Sequence, residues 1–539
     1  GILSAYGFFV YKQKDLTIEK TDISNILIST FNGGSCYGIN LNNIDDTTFA
    51  NQGNIVLKNN RIFNLKVNPS ETSPNTAGGI MAGILINRVK PGSNVQIVGN
   101  EIFNLESNLP SNQNRIQGII YNAGYPGEII PGTIANNVIS DLKVSTSASP
   151  SITIWGLELK TSTNSNGISN VTVANNTSFL NHYPAPFATA IHSSCLMIGN
   201  MGTGKIDLKN NIFINNSNVG YGGAGLATAI RADLVSNFLS LTEESNNNLY
   251  NYTIPDLNRG ISVVANVINK TLTDHIISLY KFKKSGAIDY NAIFATVPFV
   301  NPTTSPFNLR VSTSTPTQAS NAGVSVAGVT TDLDGNSRSL TTPDIGAFEF
   351  NGVDDDKTSP YISVTKLPAL LPMGQMLTFK AAFRDRNGVA SSGNAPKAYY
   401  RTTKSQTYLT QSGVVSSPDS LSFTIDPTLV NAGASDTLVV YVAAQDNNST
   451  PNGGSYPYGG SGVNPPGSTP PQTLFEVPIQ GSPLSGNYTI GLSAFNRITG
   501  KNLYFSSSKS GDQLLMEGGS LYSGALFATS PTEAVYATL

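Results

Sequence analysis

The sequence predicts an all-β protein: a parallel β-helix, then a β-sandwich, then a short β-rich segment. Three observations carry the first and largest part of that reading. An asparagine keeps returning: IVLKNNRIFNL, VQIVGNEIFNL, TIANNVISDL, VTVANNTSFL and IDLKNNIFINN place it at Asn60, Asn100, Asn137, Asn176 and Asn211. With Thr21 one period earlier, the steps are 39, 40, 37, 39 and 35 residues, which marks a repeat with loops of variable length. Between the copies lies a second element, small residue then aliphatic: Gly38-Ile39, Gly83-Ile84, Gly118-Ile119, Gly156-Leu157, Ala190-Ile191, Ala229-Ile230 and Gly260-Ile261. Finally, apolar residues alternate over short runs such as Ile55/Leu57, Val95/Ile97 and Val171/Val173, bounded by Gly, Asn, Ser and Pro, as strands separated by turns do.

Helical repeats do not fit that alternation, and no hairpin Asn-Gly turn recurs with the period. Each period therefore reads as one coil whose strands pair in parallel with those one coil on. Stacking at about 4.8 Å per coil brings equivalent asparagines within hydrogen-bonding reach. Asn60, Asn100, Asn137, Asn176 and Asn211 are thus expected to form a structural side-chain ladder at one corner.

Composition narrows the function. Charged residues are 12% of the 539, well below the roughly 25% of an average soluble domain, so Asn, Ser, Thr and Gly carry the polarity. Lys and Arg (32) nearly balance Asp and Glu (34), which leaves no basic footprint for nucleic acid. No apolar run has the length of a membrane-spanning helix, and the first residues read as strands rather than a signal peptide. The chain is expected to be a mature form or, preferably, a fragment of a larger modular protein. Cys36 and Cys195 fall about four coils apart, roughly 19 Å. That exceeds disulfide reach, and neither has partners at zinc-ligand spacing, so two free buried thiols are expected.

From Asn237 the repeat loosens, and after Asp289-Tyr290-Asn291 the text turns Pro-, Ser- and Thr-rich. It closes with DLDGNSRSLTTPDIGAFEF, residues 332–350. Asp332, Asp334, Gly335 and Arg338, followed by Pro343, Ile345, Gly346, Ala347 and Glu349, resemble the closing segments of a large group of secreted bacterial right-handed β-helix proteins. The resemblance covers about residues 16–350 and implies a right-handed helix, with the expected domain 1–350 ending in a C-terminal cap, and an extracellular or cell-surface location. Asp332-x-Asp334-Gly335 also reads as half of a calcium loop, lacking its later acidic ligand; otherwise no cofactor or metal is expected.

Beyond Asp354-Asp355-Asp356 come YISVTKL, LTFKAAFRDRNGV, KAYYRTT, LSFTID, DTLVVYVAAQDN and TLFEVPI, short strands spaced as in a β-sandwich over 357–479. The phrases around Phe383, Tyr399 and Tyr441 resemble the Ig-like modules that follow β-helices in Bacteroidota-type surface proteins. Residues 480–539 read as a junction or partial β-rich module.

Chemistry is sparse. Aligning the second element places Glu158, His192 and Arg231 at one position of three successive coils, with Lys160, Ser194 and Asp233 two residues on. An acid, an imidazole and a guanidinium on one sheet face suit proton abstraction from a uronic acid. A mixed-charge column on an exposed sheet is equally a way of keeping a solenoid soluble, and it is the preferred reading. Trp155 and Tyr183 are candidate sugar platforms, read in preference as packed aromatics. The paired aspartates and Gly-His-Gly of polygalacturonases are absent. The expected function is an extracellular structural or adhesive protein, more a surface than an enzyme. Its expected partners are surface glycans or neighbouring copies, with no nucleic acid and no membrane-spanning segment. The alternative is a carbohydrate-active β-helix, a polysaccharide lyase or glycoside hydrolase.

Overall fold

In the structure, a computed structural model, residues 4–11, 13–29, 35–42, 52–68, 79–90, 92–108, 114–122, 125–126, 129–144, 151–161, 167–182, 190–220, 225–252, 258–283, 288–481, 503–505, 513–516, 521–530 and 533–538 are described. The chain divides into two compact units, residues 1–358 and 359–539.

The first unit is a parallel β-helix with three sheets. The first sheet stacks Ala5–Val10, Cys36–Asn42, Ile80–Asn87, Asn114–Asn122, Ser151–Leu159, Ala190–Ile198, Leu226–Ala232 and Arg259–Val264 in parallel. The second runs from Lys14–Glu19 to Lys205–Lys209, and the third from Asp22–Ile28 to Ile293–Phe294. Isoleucine, leucine and valine from all three fill one continuous interior, so each coil is stabilised by burial against its two neighbours. In the first sheet the small residue of the repeat has a steric cause. A Cβ at Gly118 would lie 2.5 Å from both Ile139 Cγ2 and the Gly156 carbonyl, so the third sheet can close on the first only where a side chain is missing.

The corner between second and third sheets holds the recurring Asn-Asn pair. Its first residue takes a left-handed backbone, at Asn59, Asn136, Asn175, Asn210 and Asn247 with φ of 54° to 57°, a conformation Asn tolerates better than most residues. The second points inward. Asn100 Nδ2 donates to Asn137 Oδ1 at 2.9 Å and to the Leu57 carbonyl at 2.9 Å, while Asn137 Oδ1 also accepts the Asn100 backbone N–H. The same set repeats from Asn60 through Asn211 to Asn248. Asn248 Nδ2 then donates to Asp289 Oδ1 at 2.8 Å. The amides of this ladder are matched rung to rung, and the last rung is a carboxylate.

Residues beyond Phe294 do not continue the coils. They fold back along the outside, a clasp held by the first asparagine of the four pairs from Asn136 onward. Asn247 donates to the Ala322 carbonyl, Asn210 to Val324, Asn136 to Thr331 and Asn175 to Asp344, at 2.6 to 3.2 Å. The closing signature stabilises the clasp itself. Arg338 reaches Glu349 (3.1 Å), the Gly346 carbonyl and Asn136 Oδ1 (both 2.8 Å), and Asp332 accepts backbone N–H groups from Asn336 and Glu349. Underneath, the third sheet turns apolar on its outer face as well: Val138, Phe179, Ile212, Ile214 and Leu249 are buried against Phe299, Leu309, Val311 and Phe348. The repeat also contains a helix, Leu272–Lys283, opened by a reciprocal Thr271–Asp274 capping box.

In the second unit, Tyr361–Val364, Leu377–Arg384, Ser420–Ile425 and Val414–Ser417 form one antiparallel sheet. A second sheet centres on Thr437–Gln445 and Lys397–Thr402. Leu377, Phe379, Ala381 and Phe383 are buried on alternate positions, the pattern of a sandwich face. Tyr399 and Tyr441, stacked at 4.7 Å, donate to the Pro466 and Gly467 carbonyls of the Gly/Pro-rich loop. Leu503–Phe505, Gln513–Met516, Leu521–Ser530 and Glu533–Thr538 pair in a further antiparallel sheet.

Asn137→Leu should lower unfolding stability by about 1–3 kcal/mol, because it strands the Asn100 amide and both N–H groups that converge on residue 137. Denaturant unfolding and hydrogen exchange check this, the loss of protection being concentrated in the coils on either side. Uniform exchange behaviour would contradict it.

Candidate functional site

The residues singled out by sequence lie on the outer face of the first sheet, but not in one column. Glu158 pairs with Met197 and Met197 with Arg231, whereas His192 pairs with Thr153 and Leu226. The small-aliphatic element of that coil is Cys195-Leu196, five residues past Ala190-Ile191. There the small position carries a side chain, and Cys195 Sγ lies 3.5 Å from the Ser178 carbonyl of the preceding coil. Both cysteines are free and buried, their thiols pushed up to about 12 by desolvation.

Lys160, Ser194 and Asp233 form no second column. Lys160 Nζ bonds Glu158 Oε2 at 2.8 Å, and Gln117 Nε2 donates to the same oxygen at 2.6 Å. Asp233 takes the Arg231 Nε–H at 2.9 Å. Ser194 pairs with Trp155 instead. The Arg231 guanidinium sits 5.4 Å over Trp155, and its Nη1 lies 3.3 Å from His192 Nδ1.

The patch thus splits into a neutralised Glu158–Lys160–Gln117 group and an Arg231–Asp233–His192–Trp155 group, with buried Met197 in register between Glu158 and Arg231. Trp155, 8% exposed, is covered by the cation and offers no open face for a sugar. Tyr183 lies outside the described residues. Burial, and then the Arg231 charge, lower the His192 pKa, with Asp233 opposing. A neutral imidazole results, its Nδ1 accepting from the guanidinium, and no carboxylate is placed to relay a proton through it.

A second constellation is not apparent from the sequence. His275 is fully buried on the helix, with Nδ1 2.8 Å from Ser262 Oγ and Nε2 2.9 Å from Asp289 Oδ2. Tyr250 OH donates to that same carboxylate oxygen. Serine, histidine and aspartate in series have the connectivity of a hydrolase relay, yet Ser262 and His275 are both 0% exposed and Ser262 Oγ already accepts from Asn269. The group closes the asparagine ladder. Its one sequence signal is the 41-residue step from Asn248 to Asp289, a period the earlier steps allow once Asp is admitted in place of Asn.

In the half calcium loop, Asp334 binds Arg310 through both oxygens, at 2.5 and 2.9 Å, and Asp332 is occupied by the clasp N–H groups. No helix is long and apolar enough to cross a membrane. No protein-family model matches the chain, and no curated protein matches it as a relative.

An NMR titration should give His192 a midpoint below the ordinary 6.5 of imidazole, and Arg231→Gln should move it upward. A midpoint unchanged by that substitution would show that the guanidinium does not face the ring.

Proposed function

We propose that this chain is an extracellular structural or adhesive protein, a fragment of a larger modular secreted protein or filament, that works by presenting surface rather than by turnover. The observation that carries the reading is the state of the strongest chemical cluster: Glu158 and Arg231 are each neutralised by a neighbour on their own strand or beside it, and His192 stands out of register with both. Proton abstraction needs a base and an acid converging on one substrate atom, and that patch supplies neither. The Ser262–His275–Asp289 series is sealed in the core and stabilises the end of the stack.

What the first unit supplies instead is a long, internally matched stack with a repetitive polar exterior. Stability distributed over nearest-neighbour coils resists local opening at any one of them, which suits a surface protein exposed to shear and proteases. The sheets centred on Leu377–Arg384 and Thr437–Gln445 fit the role of an Ig-like spacer.

Incubation of the purified chain with a panel of acidic and neutral polysaccharides should release no unsaturated or reducing ends. Turnover that His192→Ala abolishes would overturn the reading and make the outer face of the first sheet an active site.

A further inference from the structure

The outer face of the third sheet carries a second feature, unrelated to the first-sheet patch. Its outward columns are set by register: Asp22, Arg61, Glu101, Val138 in one, and Ser24, Phe63, Phe103, Ser140 in the other. From Val138 onward these positions are apolar or small and the clasp covers them. Before it they are charged and aromatic, and the clasp stops short. A cleft of 460 Å³ opens at this boundary, between Phe63 and Phe103 on the sheet and Phe307 and Arg310 on the clasp. That volume lies within the roughly 300–1,000 Å³ of small-molecule sites.

The walls are of two kinds. Phe63 and Phe103 stack at 5.1 Å with planes 1° apart, and both stay half-buried with the Arg61 guanidinium over them, 5.1 and 5.8 Å from the ring centroids. Phe307 adds a third ring, held edge-on against Phe179 at 5.5 Å. Beside this apolar strip runs an amide row in which Asn104 Nδ2 donates to Asn64 Oδ1, and Asn64 in turn to Asn25. Asn104 Oδ1 receives no donor among the described residues. Arg61 is paired with Asp22, and Arg310 with Asp334. Glu101, in register between Arg61 and Val138, makes no side-chain hydrogen bond or ion pair among the described residues, although its charge acts on Arg310.

We propose that this cleft binds a neutral oligosaccharide. Planar amide, carboxylate and guanidinium groups set along an apolar wall match a pyranose ring, whose hydroxyls both donate and accept while its C–H groups seek apolar contact. With both arginines neutralised and Glu101 unmatched, the cleft carries net negative charge and disfavours uronates. A single free carboxylate does not make the flanking pair that glycoside hydrolysis requires, so the site binds without cleaving. In that respect the proposal rests on the adhesive reading.

Isothermal titration of the whole chain with cellohexaose, chitohexaose, hexagalacturonate and hexalysine tests it. A neutral hexasaccharide should bind, and Phe103→Ala should weaken it about tenfold, the scale of one lost aromatic contact, with the melting temperature unchanged. Glu101→Ala, an outward polar position, is the second variant should Phe103→Ala fail to fold; it should weaken neutral ligands and favour hexagalacturonate. Tighter binding of hexagalacturonate or hexalysine to the unaltered chain, binding that survives both variants, or no binding of any probe would each overturn the site. Those outcomes leave the adhesive reading standing, whereas reducing ends appearing during the titration would remove that reading while leaving a ligand site in place.

Discussion

A buried primary amide has two donors and an acceptor that accepts twice, and the interior of this solenoid offers it little besides other amides. That constraint shapes the first unit. Each Asn of the ladder sends one N–H to the next coil and one back to a carbonyl of the previous coil, and its oxygen takes two donors from the coil before. Such a chain of donors has a direction and must end on a group that only accepts. Asp289 is that group, and Tyr250 and His275 converge on its other oxygen. The helix carrying His275, an unexpected element in an otherwise β unit, is positioned by the need to finish the ladder. A residue leaving a buried donor unmatched there would cost about what the rungs contribute.

The doubled asparagine follows from the same corner. Turning the chain from second to third sheet requires a left-handed residue, and Asn adopts that backbone readily. Because the turn sends successive side chains to opposite sides, the second Asn builds the ladder inside while the first meets the clasp outside. The closing segment is therefore read by the repeat it closes: Asn136, Asn175, Asn210 and Asn247 bind clasp carbonyls coil by coil. Arg338 joins this row to the clasp's own turns through Asn136.

Much of this was legible from sequence, and the rest was hidden for identifiable reasons. The period, the parallel stacking and the inward asparagine follow from spacing alone, since every coil repeats them. The register of His192 did not, because Ala190-Ile191 and Cys195-Leu196 both satisfy a small-then-aliphatic rule. Only the pairing of Trp155 with Ser194 and of Leu157 with Leu196 decides between them. Asp289 was missed because the last rung differs chemically from the others, and the clasp because its partners are the first asparagines of the pairs, which the period does not distinguish from the second. The continuous Ile212-Phe213-Ile214 run, beside the alternating pattern at Arg61 to Leu65, was the available sign that the outer face of the third sheet becomes covered.

In a parallel stack, register places like residues over like, so most columns carry no information about chemistry. Gly over Gly and Asn over Asn serve the stack. Function is to be sought where a column changes identity without a structural cause. The change from Asn248 to Asp289 has one, the need to end the donor chain. The change along Asp22, Arg61, Glu101 and Val138 is different in kind. Covering the later coils explains why Val138 is apolar, but a solvated sheet would not need stacked phenylalanines at Phe63 and Phe103 beside a carboxylate that makes no hydrogen bond or ion pair among the described residues. Half-buried aromatic surface beside unmatched polar groups raises the free energy of the unbound chain, and a ligand that matches both is what would lower it.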